Sequence, residues 1–131
     1  MKEKILLIDD DPLVLRTLER LLKAQGYRTT AADSGLKAIE LVKKEDFDLV
    51  MSDIRMPEMD GVETMEIIQE HCRSRGKCCA CMFITAYPED RRVQEIVRTG
   101  GSRMILKPFE VEELLRSIEL ELQVRPASPN P

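Results

Sequence analysis

The sequence has no long apolar run and no cluster of basic residues. No stretch comes near the about 20 consecutive apolar residues that a membrane-spanning helix needs. The N-terminal residues lead into a strand-like segment rather than a signal peptide. We therefore expect a cytoplasmic protein that does not contact a membrane. The net charge is −4 and the basic residues are dispersed, so we expect no direct binding to nucleic acid, which usually needs a basic patch.

Cysteines are also few, and they lie in one short segment, at Cys72, Cys78, Cys79 and Cys81. A disulfide framework spreads its cysteines so that they connect distant parts of a chain, which excludes that architecture here. A zinc site formed by the only histidine, His71, with the first three cysteines is conceivable, but those three contain no C-x-x-C pair. We interpret the cysteines as buried or half-exposed free thiols.

One domain accounts for most of the chain. Its 131 residues, of which 43% are hydrophobic and 34% charged, suit a single soluble domain. Three of the last six residues are prolines, which a helix interior does not tolerate. We therefore predict a domain over residues 1–124. Residues 125–131 are then a proline-rich tail or the start of a linker to an output domain.

Short apolar segments alternate with segments of helical periodicity throughout this domain. Asp11, Ser34 and Asp60 stand where they can cap three of the helices. The first segment is continuously apolar rather than alternating, which is typical of a strand covered on both faces, and residues 27–32 indicate a weaker strand. The five predicted strands cover residues 4–8, 27–32, 49–51, 79–84 and 104–106. Five strands that alternate with five helices predict an α/β protein whose parallel sheet is covered by helices on both faces.

Polar side chains follow four of the predicted strands. Asp9 and Asp10 follow the first strand, Asp53 the third, Thr85 the fourth and Lys107 the fifth. Open parallel sheets bind ligands outside the carboxyl ends of their strands, so these side chains form one candidate site. Clustered carboxylates repel one another unless a cation offsets their charge, and Mg²⁺ prefers oxygen ligands. A carboxylate can also attack phosphorus and form an aspartyl-phosphate, which suggests phosphoryl transfer.

Four segments carry a resemblance to a known family. They are "ILLIDDDP", "DLVMSDIRMPEMDG", "FITAY" and "ILKPF", in that order. Over residues 4 to about 124 the sequence resembles the receiver domain of a two-component response regulator. The resemblance implies a flavodoxin-like, doubly wound (βα)5 fold whose five-stranded parallel sheet has the order 2-1-3-4-5.

The resemblance also implies individual roles at the candidate site. Asp53 would accept the phosphoryl group. Asp9, Asp10 and Asp53 would hold Mg²⁺ together with the backbone carbonyl of Arg55. The peptide between Lys107 and Pro108 would be cis.

The remaining implied roles concern the response to phosphorylation. Thr85 and Lys107 would bind the phosphoryl group, and Thr85 would shift when it arrives. Where the family has an inward-turning Tyr or Phe, this sequence has Met104, which can fill the same space without a ring. Tyr87 is a second candidate for this switch.

The resemblance implies a signalling switch and not a multiple-turnover enzyme. A histidine kinase or phosphotransfer protein would donate the phosphoryl group, and the domain would assist its own phosphorylation and dephosphorylation. The fourth helix, the fifth strand and the fifth helix would form the partner surface. An output domain beyond the C-terminus and a phosphorylation-dependent dimer are both compatible with this reading.

Two alternatives remain open at this point. One is an interaction scaffold that has the receiver shape but works without phosphorylation. The other is a phosphatase that resembles the haloacid dehalogenases, because residues 9–11 contain a D-x-D motif. Against it, Leu13 occupies the position where that signature continues with Thr or Val.

Overall fold

The computed structural model describes residues 3–77, 79–86, 89–98 and 103–124. Cys78, Tyr87 and the predicted tail over 125–131 lie outside the described residues. Within the described part, five strands alternate with five helices: β1 (Lys4–Ile8), α1 (Pro12–Ala24), β2 (Arg28–Ala32), α2 (Gly35–Lys44), β3 (Leu49–Asp53), α3 (Gly61–Ser74), β4 (Ala80–Thr85), α4 (Arg91–Arg98), β5 (Arg103–Leu106) and α5 (Val111–Val124).

The described strands form one parallel sheet in the order β2-β1-β3-β4-β5. This confirms the predicted fold class and strand order. The order reverses between β1 and β3, which opens a crevice at the carboxyl edge of the sheet. The register pairs Ile8 with Ser52, and Asp53 with Ile84, so the strands end almost level with one another and their last residues converge on this crevice.

The two faces of the sheet bury separate apolar clusters. Along β1, Ile5 and Leu7 point into one cluster, whereas Leu6 and Ile8 point into the other, because successive strand side chains face opposite ways. The first cluster lies against α1 and α5, and the second lies against α2 and α3. Burial on both sides explains why the segment of β1 is a continuous apolar run.

Local hydrogen bonds begin the helices where the sequence predicts. The side chain of Asp11 accepts a hydrogen bond from the Leu13 N–H at 2.9 Å. Ser34 and Asp60 likewise cap α2 and α3. Each capping side chain accepts a hydrogen bond from a backbone N–H that the first helical turn leaves without a partner. Within the described residues, no helix is long and apolar enough to cross a membrane.

Two strands are longer at their carboxyl ends than the apolar pattern indicates. The pattern ends β3 at residue 51 and β4 at residue 84, whereas the structure extends them to Asp53 and Thr85. The extension follows from the sheet ladder, in which Asp53 pairs with Ile84 and Thr85 with Leu106. Both polar side chains are therefore anchored on regular strand backbone rather than on a loop.

Candidate functional site

Three carboxylates meet at the carboxyl edge of the sheet. Asp9 follows β1 and is buried, with 3% of its surface exposed, while Asp10 is exposed and Asp53, at the end of β3, is half-buried. Each offers a carboxylate oxygen, and the three oxygens lie within 4.8 Å of one another. Such an oxygen-rich group suits a hard cation such as Mg²⁺.

Lys107 supplies a positive charge to this group. Its Nζ donates a hydrogen bond to Asp9 Oδ2 at 3.0 Å and lies 3.6 Å from Asp53 Oδ2. It arrives from the segment after β5, where its backbone N–H donates to the carbonyl oxygen of Thr85 at 2.8 Å. The lysine therefore bridges the ends of three strands.

The electrostatics of the site follow from burial and close charges. Burial raises the pKa of Asp53 above its ordinary value, even though Lys107 opposes this shift, and the carboxylate of Asp9 raises it further. Burial by itself would lower the pKa of Lys107. The hydrogen bond to Asp9 and the charges of Asp53 and Asp9 outweigh burial, so the pKa of Lys107 is raised and its ammonium stays protonated.

The loop from β3 to α3 holds Asp53 tightly. The Ile54 N–H donates to Asp53 Oδ1 at 2.9 Å, and the Gly61 N–H donates to the Ile54 carbonyl oxygen at 2.7 Å. A Cβ at position 61 would lie 1.9 Å from the backbone carbonyl oxygen of Asp53. Only glycine fits there without moving the backbone. Arg55 is exposed in this loop, two residues beyond Asp53.

Thr85 lies at the end of β4 with 0% of its surface exposed. Its strand neighbour Ile84 pairs with Asp53 in the sheet, so Thr85 extends one residue past Asp53 along the crevice. The peptide between Lys107 and Pro108 is cis, which confirms the prediction made for it. The structure thus brings the carboxylates of Asp9, Asp10 and Asp53 together, with Lys107 beside Asp9 and Asp53 and with Thr85 on the adjoining strand.

Of the two predicted switch residues, Met104 lies in the part of the chain that the structure describes. Met104 pairs with Phe83 in the register between β4 and β5. Its side chain is half-buried against the cluster that lies under α2 and α3. Methionine therefore does fill apolar space at this position. Tyr87 lies outside the described residues.

One contact near the site was missed by the sequence interpretation, which treated Arg92 as part of a solvated helix face. The side chain is 55% exposed, yet its guanidinium forms ion pairs with Asp60 and with Asp90. Asp60 therefore caps α3 through one carboxylate oxygen and binds α4 through the other. A separation of 32 residues between the partners left no local signal for this pair.

The zinc alternative finds no support among the described residues. Asp9, Asp10 and Asp53 form the single described group of three metal-binding side chains within 4.8 Å, and His71, Cys72 and Cys79 do not form another. Cys72 and Cys79 are half-buried thiols that are not joined in a disulfide, and Cys81 is a buried thiol. This is the state that the sequence analysis predicts for these three; Cys78 lies outside the described part.

Comparison with known proteins gives a consistent family. The family model for the response regulator receiver domain matches residues 5–119. Sporulation initiation phosphotransferase F of Bacillus subtilis (strain 168) is 34% identical over 128 residues, which cover 95% of this chain and 98% of that protein. Transcriptional regulatory protein ZraR of Escherichia coli (strain K12) is 34% identical over 118 residues, which cover 90% of this chain and 26% of that protein. The chain therefore spans nearly all of one relative and about a quarter of the other.

A solved structure shares the fold. The receiver domain of the sensor histidine kinase PA1611 from Pseudomonas aeruginosa PAO1 matches with a TM-score of 0.81 at 24% identity. The match covers 94% of this chain and 99% of that one. That structure has a magnesium ion coordinated in its active site cleft.

Proposed function

The chain belongs to the response regulator receiver domain family, whose members are phosphorylation-controlled regulators, and from this premise we propose that Asp53 accepts the phosphoryl group. The observation that carries the proposal is the group formed by Asp9, Asp10, Asp53 and Lys107. Asp53 is the member that is anchored at a strand end, half-buried and within 3.6 Å of the lysine. A rigidly held carboxylate beside a cation is well placed to attack phosphorus.

Receiver domains bind Mg²⁺ at an acidic pocket, and the donor set here fits that ion. Asp9, Asp10 and Asp53 would hold it through carboxylate oxygens, together with the backbone carbonyl of Arg55. When bound, the ion neutralises part of the carboxylate charge and of the charge on the phosphoryl oxygens. The close spacing of three carboxylates around one lysine supports this assignment, because a single ammonium offsets only one of the three charges.

The residues of the chain divide the transfer between them. An oxygen of Asp53 forms the new bond to phosphorus while the bond from phosphorus to the donor breaks, and the leaving group departs on the opposite side. Lys107, held by Asp9 at 3.0 Å, pairs with a phosphoryl oxygen and offsets the added negative charge. The Ile54 N–H keeps the Asp53 carboxylate oriented. Such positioning and charge stabilisation supply most of the catalysis in phosphoryl transfer.

The response to phosphorylation begins at Thr85 in this proposal. Its hydroxyl binds a phosphoryl oxygen and shifts towards Asp53, and the space that it leaves is refilled from β5. Met104 lies on that strand, half-buried beside Phe83. An unbranched thioether can change rotamer at low cost, which suits a packing switch that uses no aromatic ring. Tyr87 remains a second switch candidate.

The proposed phosphoryl donor is a histidine kinase or a phosphotransfer protein, and the readout is a changed surface on α4, β5 and α5. Leu106 and Val111 are exposed there, so a partner has apolar contacts available. We place the domain in residues 1–124 and treat 125–131 as a tail or linker. Homologous response regulators often carry output domains, and ZraR is about four times as long as the part that this chain matches. The domain assists its own phosphorylation and dephosphorylation.

Labelling with acetyl phosphate tests the phosphoacceptor. We expect the wild-type chain to gain the mass of one phosphoryl group in the presence of Mg²⁺ and to gain none with EDTA. Asp53→Asn should abolish the gain. Asp60→Asn is the matched control, because it changes an aspartate of the same loop that caps α3. Labelling that survives Asp53→Asn would refute the assignment.

The same assay separates the alternatives. A scaffold that works without phosphorylation would bind its partner equally well before and after treatment with the phosphodonor and would never gain mass. A phosphatase of the haloacid dehalogenase type would turn over phosphate esters steadily, and this turnover would survive Asp53→Asn but stop in Asp9→Asn.

A further inference from the structure

A cavity of about 300 Å³ lies at the amino edge of the sheet, on the side opposite the acidic group. The ends of α2 and α3 and the segments that precede β3 and β4 form its walls. Its lining mixes apolar side chains such as Phe47 and Ile68 with charged ones such as Asp46 and Lys77. The proposed phosphorylation chemistry makes no use of this region.

One wall of the cavity carries two thiols. Cys72, near the end of α3, and Cys79, just before β4, both line the cavity, and their Sγ atoms are 3.7 Å apart. Both side chains are half-buried. His71 lines the same cavity, and its buried Nε2 has no hydrogen-bond partner among the described residues. A cavity of this size with such an atom in its wall has room and a polar partner for a molecule as small as water.

Backbone hydrogen bonds hold both cysteines in place. The carbonyl oxygen of Cys72 accepts hydrogen bonds from the N–H groups of Arg75 and Lys77, at 3.1 and 2.8 Å. After Cys79, the Ala80 N–H donates to the carbonyl oxygen of Asp48 at 2.9 Å and so fixes the start of β4. The approach of the two sulfurs is therefore built into the fold.

We propose that Cys72 and Cys79 are a redox modification site, at which hydrogen peroxide admitted by the cavity converts the two thiols into a disulfide. A disulfide bond is about 2.05 Å long, so the sulfurs must approach by about 1.7 Å. Rotation about the Cα–Cβ bonds supplies this movement, because both side chains line open space. The product ties the end of α3 to the start of the strand that carries Thr85 at its other end.

The reaction balances with peroxide as the only oxidant. The thiolate of one cysteine attacks one peroxide oxygen, the O–O bond breaks, and the departing hydroxide takes up a proton to become water. The resulting sulfenic acid is attacked by the sulfur of the other cysteine, whose proton leaves with the hydroxyl group as a second water. Two thiols have then lost two electrons and two protons, and one peroxide has become two waters.

The surroundings of Cys72 affect its acidity. The hydrogen bond to Cys79 raises the pKa of the Cys72 thiol well above its usual range, and burial raises it further. Either sulfur can donate in this hydrogen bond, so either thiol of the pair can be the one that reacts first. The thiolate is the form that reacts with peroxide.

Cys81 provides an internal control, because it lies on the same face of the chain two residues beyond Cys79. It is buried, with 2% of its surface exposed, and its Sγ accepts a hydrogen bond from Gln69 Nε2 at 3.2 Å. It does not line the cavity. The proposal therefore excludes Cys81 as the partner of Cys72.

The test uses the reduced full chain, exposed to hydrogen peroxide in native buffer and followed by intact mass and peptide mapping. We expect a loss of two hydrogen atoms that a thiol reductant reverses. The loss should persist in Cys78→Ser and Cys81→Ser and disappear in Cys72→Ser and Cys79→Ser. Far-UV circular dichroism checks that each variant is folded. The readout is a mass change at the thiols, so the test does not depend on the proposed phosphorylation.

Denaturant provides the second arm. In guanidinium chloride the chain is unfolded, so the fold no longer determines which cysteines pair. The Cys79→Ser variant should then form a disulfide through Cys78 as readily as the Cys78→Ser variant forms one through Cys79. The same lack of selectivity in native buffer would overturn the proposal, because sequence proximity alone would then explain the bond. A native chain that gains only oxygen atoms, or a disulfide that requires Cys81, would overturn it as well.

Discussion

At the carboxyl edge of the sheet, Asp9, Asp10, Asp53 and Lys107 share one small volume in which negative charge exceeds positive. At the amino edge, Asp46 pairs with Arg75 and Lys77 beside the two thiols. The same strands supply both edges. At the carboxyl edge the excess of negative charge persists because rigid strand ends hold the carboxylates together. At the amino edge, basic side chains from exposed turns neutralise the carboxylate of Asp46. Unbalanced, buried charge marks the edge where we propose chemistry on a phosphoryl group.

The largest difference between the edges should appear when each loses its lysine. Lys107→Ala removes the only ammonium within 4 Å of Asp9 or Asp53 among the described residues. We expect labelling by acetyl phosphate to slow by about 100-fold, the typical effect of removing one group that stabilises developing charge. Lys77→Ala, which breaks an ion pair at the other edge, should leave the rate within about twofold. Equal slowing in both variants would show that Lys107 acts through general stability.

A smaller difference should appear in the free energy of unfolding when one structural aspartate at each edge is replaced. Asp60→Ala removes the N-cap of α3 and the partner of Arg92. We expect the free energy of unfolding to fall by about 1–2 kcal/mol, which is typical for a lost cap. Asp46→Ala removes two exposed ion pairs and should cost less than about 1 kcal/mol. Urea unfolding of both variants measures this, and the reverse order would show that the cap contributes little.

Charge repulsion at the carboxyl edge predicts a substitution that stabilises the fold instead of destabilising it. Asp10→Asn removes one of three crowded carboxylates and should raise the free energy of unfolding in EDTA by about 1 kcal/mol, because like charges disfavour the folded state. Saturating Mg²⁺ should reduce or invert this gain, since the wild type binds the ion more tightly than the variant. A variant that is less stable than the wild type in EDTA would contradict the repulsion argument.

The smallest expected effect is on the pH dependence of the free energy of unfolding, through Asp46 at the amino edge. The hydrogen bond from Lys77 lowers the pKa of Asp46 in the folded chain. The stability that this provides is therefore present above the unfolded pKa of about 3.9 and is lost as pH falls through the folded value. Because Asp46 is 56% exposed, we expect less than about 0.5 kcal/mol. Acid unfolding of Asp46→Asn beside the wild type measures it; a stability difference between the two that still changes with pH above pH 5 would contradict the assignment.

The sequence predicted what depends on local pattern. Apolar runs marked four of the five strands, whereas the polar residues of β2 gave a weaker signal. The caps at Asp11, Ser34 and Asp60 needed only the residue type and its place before a helical segment. Parallel strands end at one edge, so the convergence of Asp9, Asp53 and Lys107 also followed from the pattern. The pattern ended β3 and β4 too early, because polar residues such as Asp53 and Thr85 can still pair in the ladder.

Contacts between distant side chains could not be predicted in this way. The pair of Arg92 with Asp60 depends on how α4 packs beside the β3–α3 loop, which periodicity does not encode. The approach of Cys72 to Cys79 depends on the turn between α3 and β4. The sequence analysis therefore recognised three free thiols correctly but gave no reason to pair two of them.

Gly61 has a consequence for any survey of tolerated substitutions. A single added carbon there would overlap the carbonyl oxygen of Asp53 at 1.9 Å, so every replacement must move the backbone that carries the proposed acceptor. A mutational scan scored by signalling output would therefore rank Gly61 beside Asp53, although the glycine has no side chain with which to react. Sensitivity to substitution alone would not separate the reacting group from the backbone that aims it. A scan scored by protein abundance would, because Asp53→Asn should leave abundance intact while Gly61→Ala lowers it.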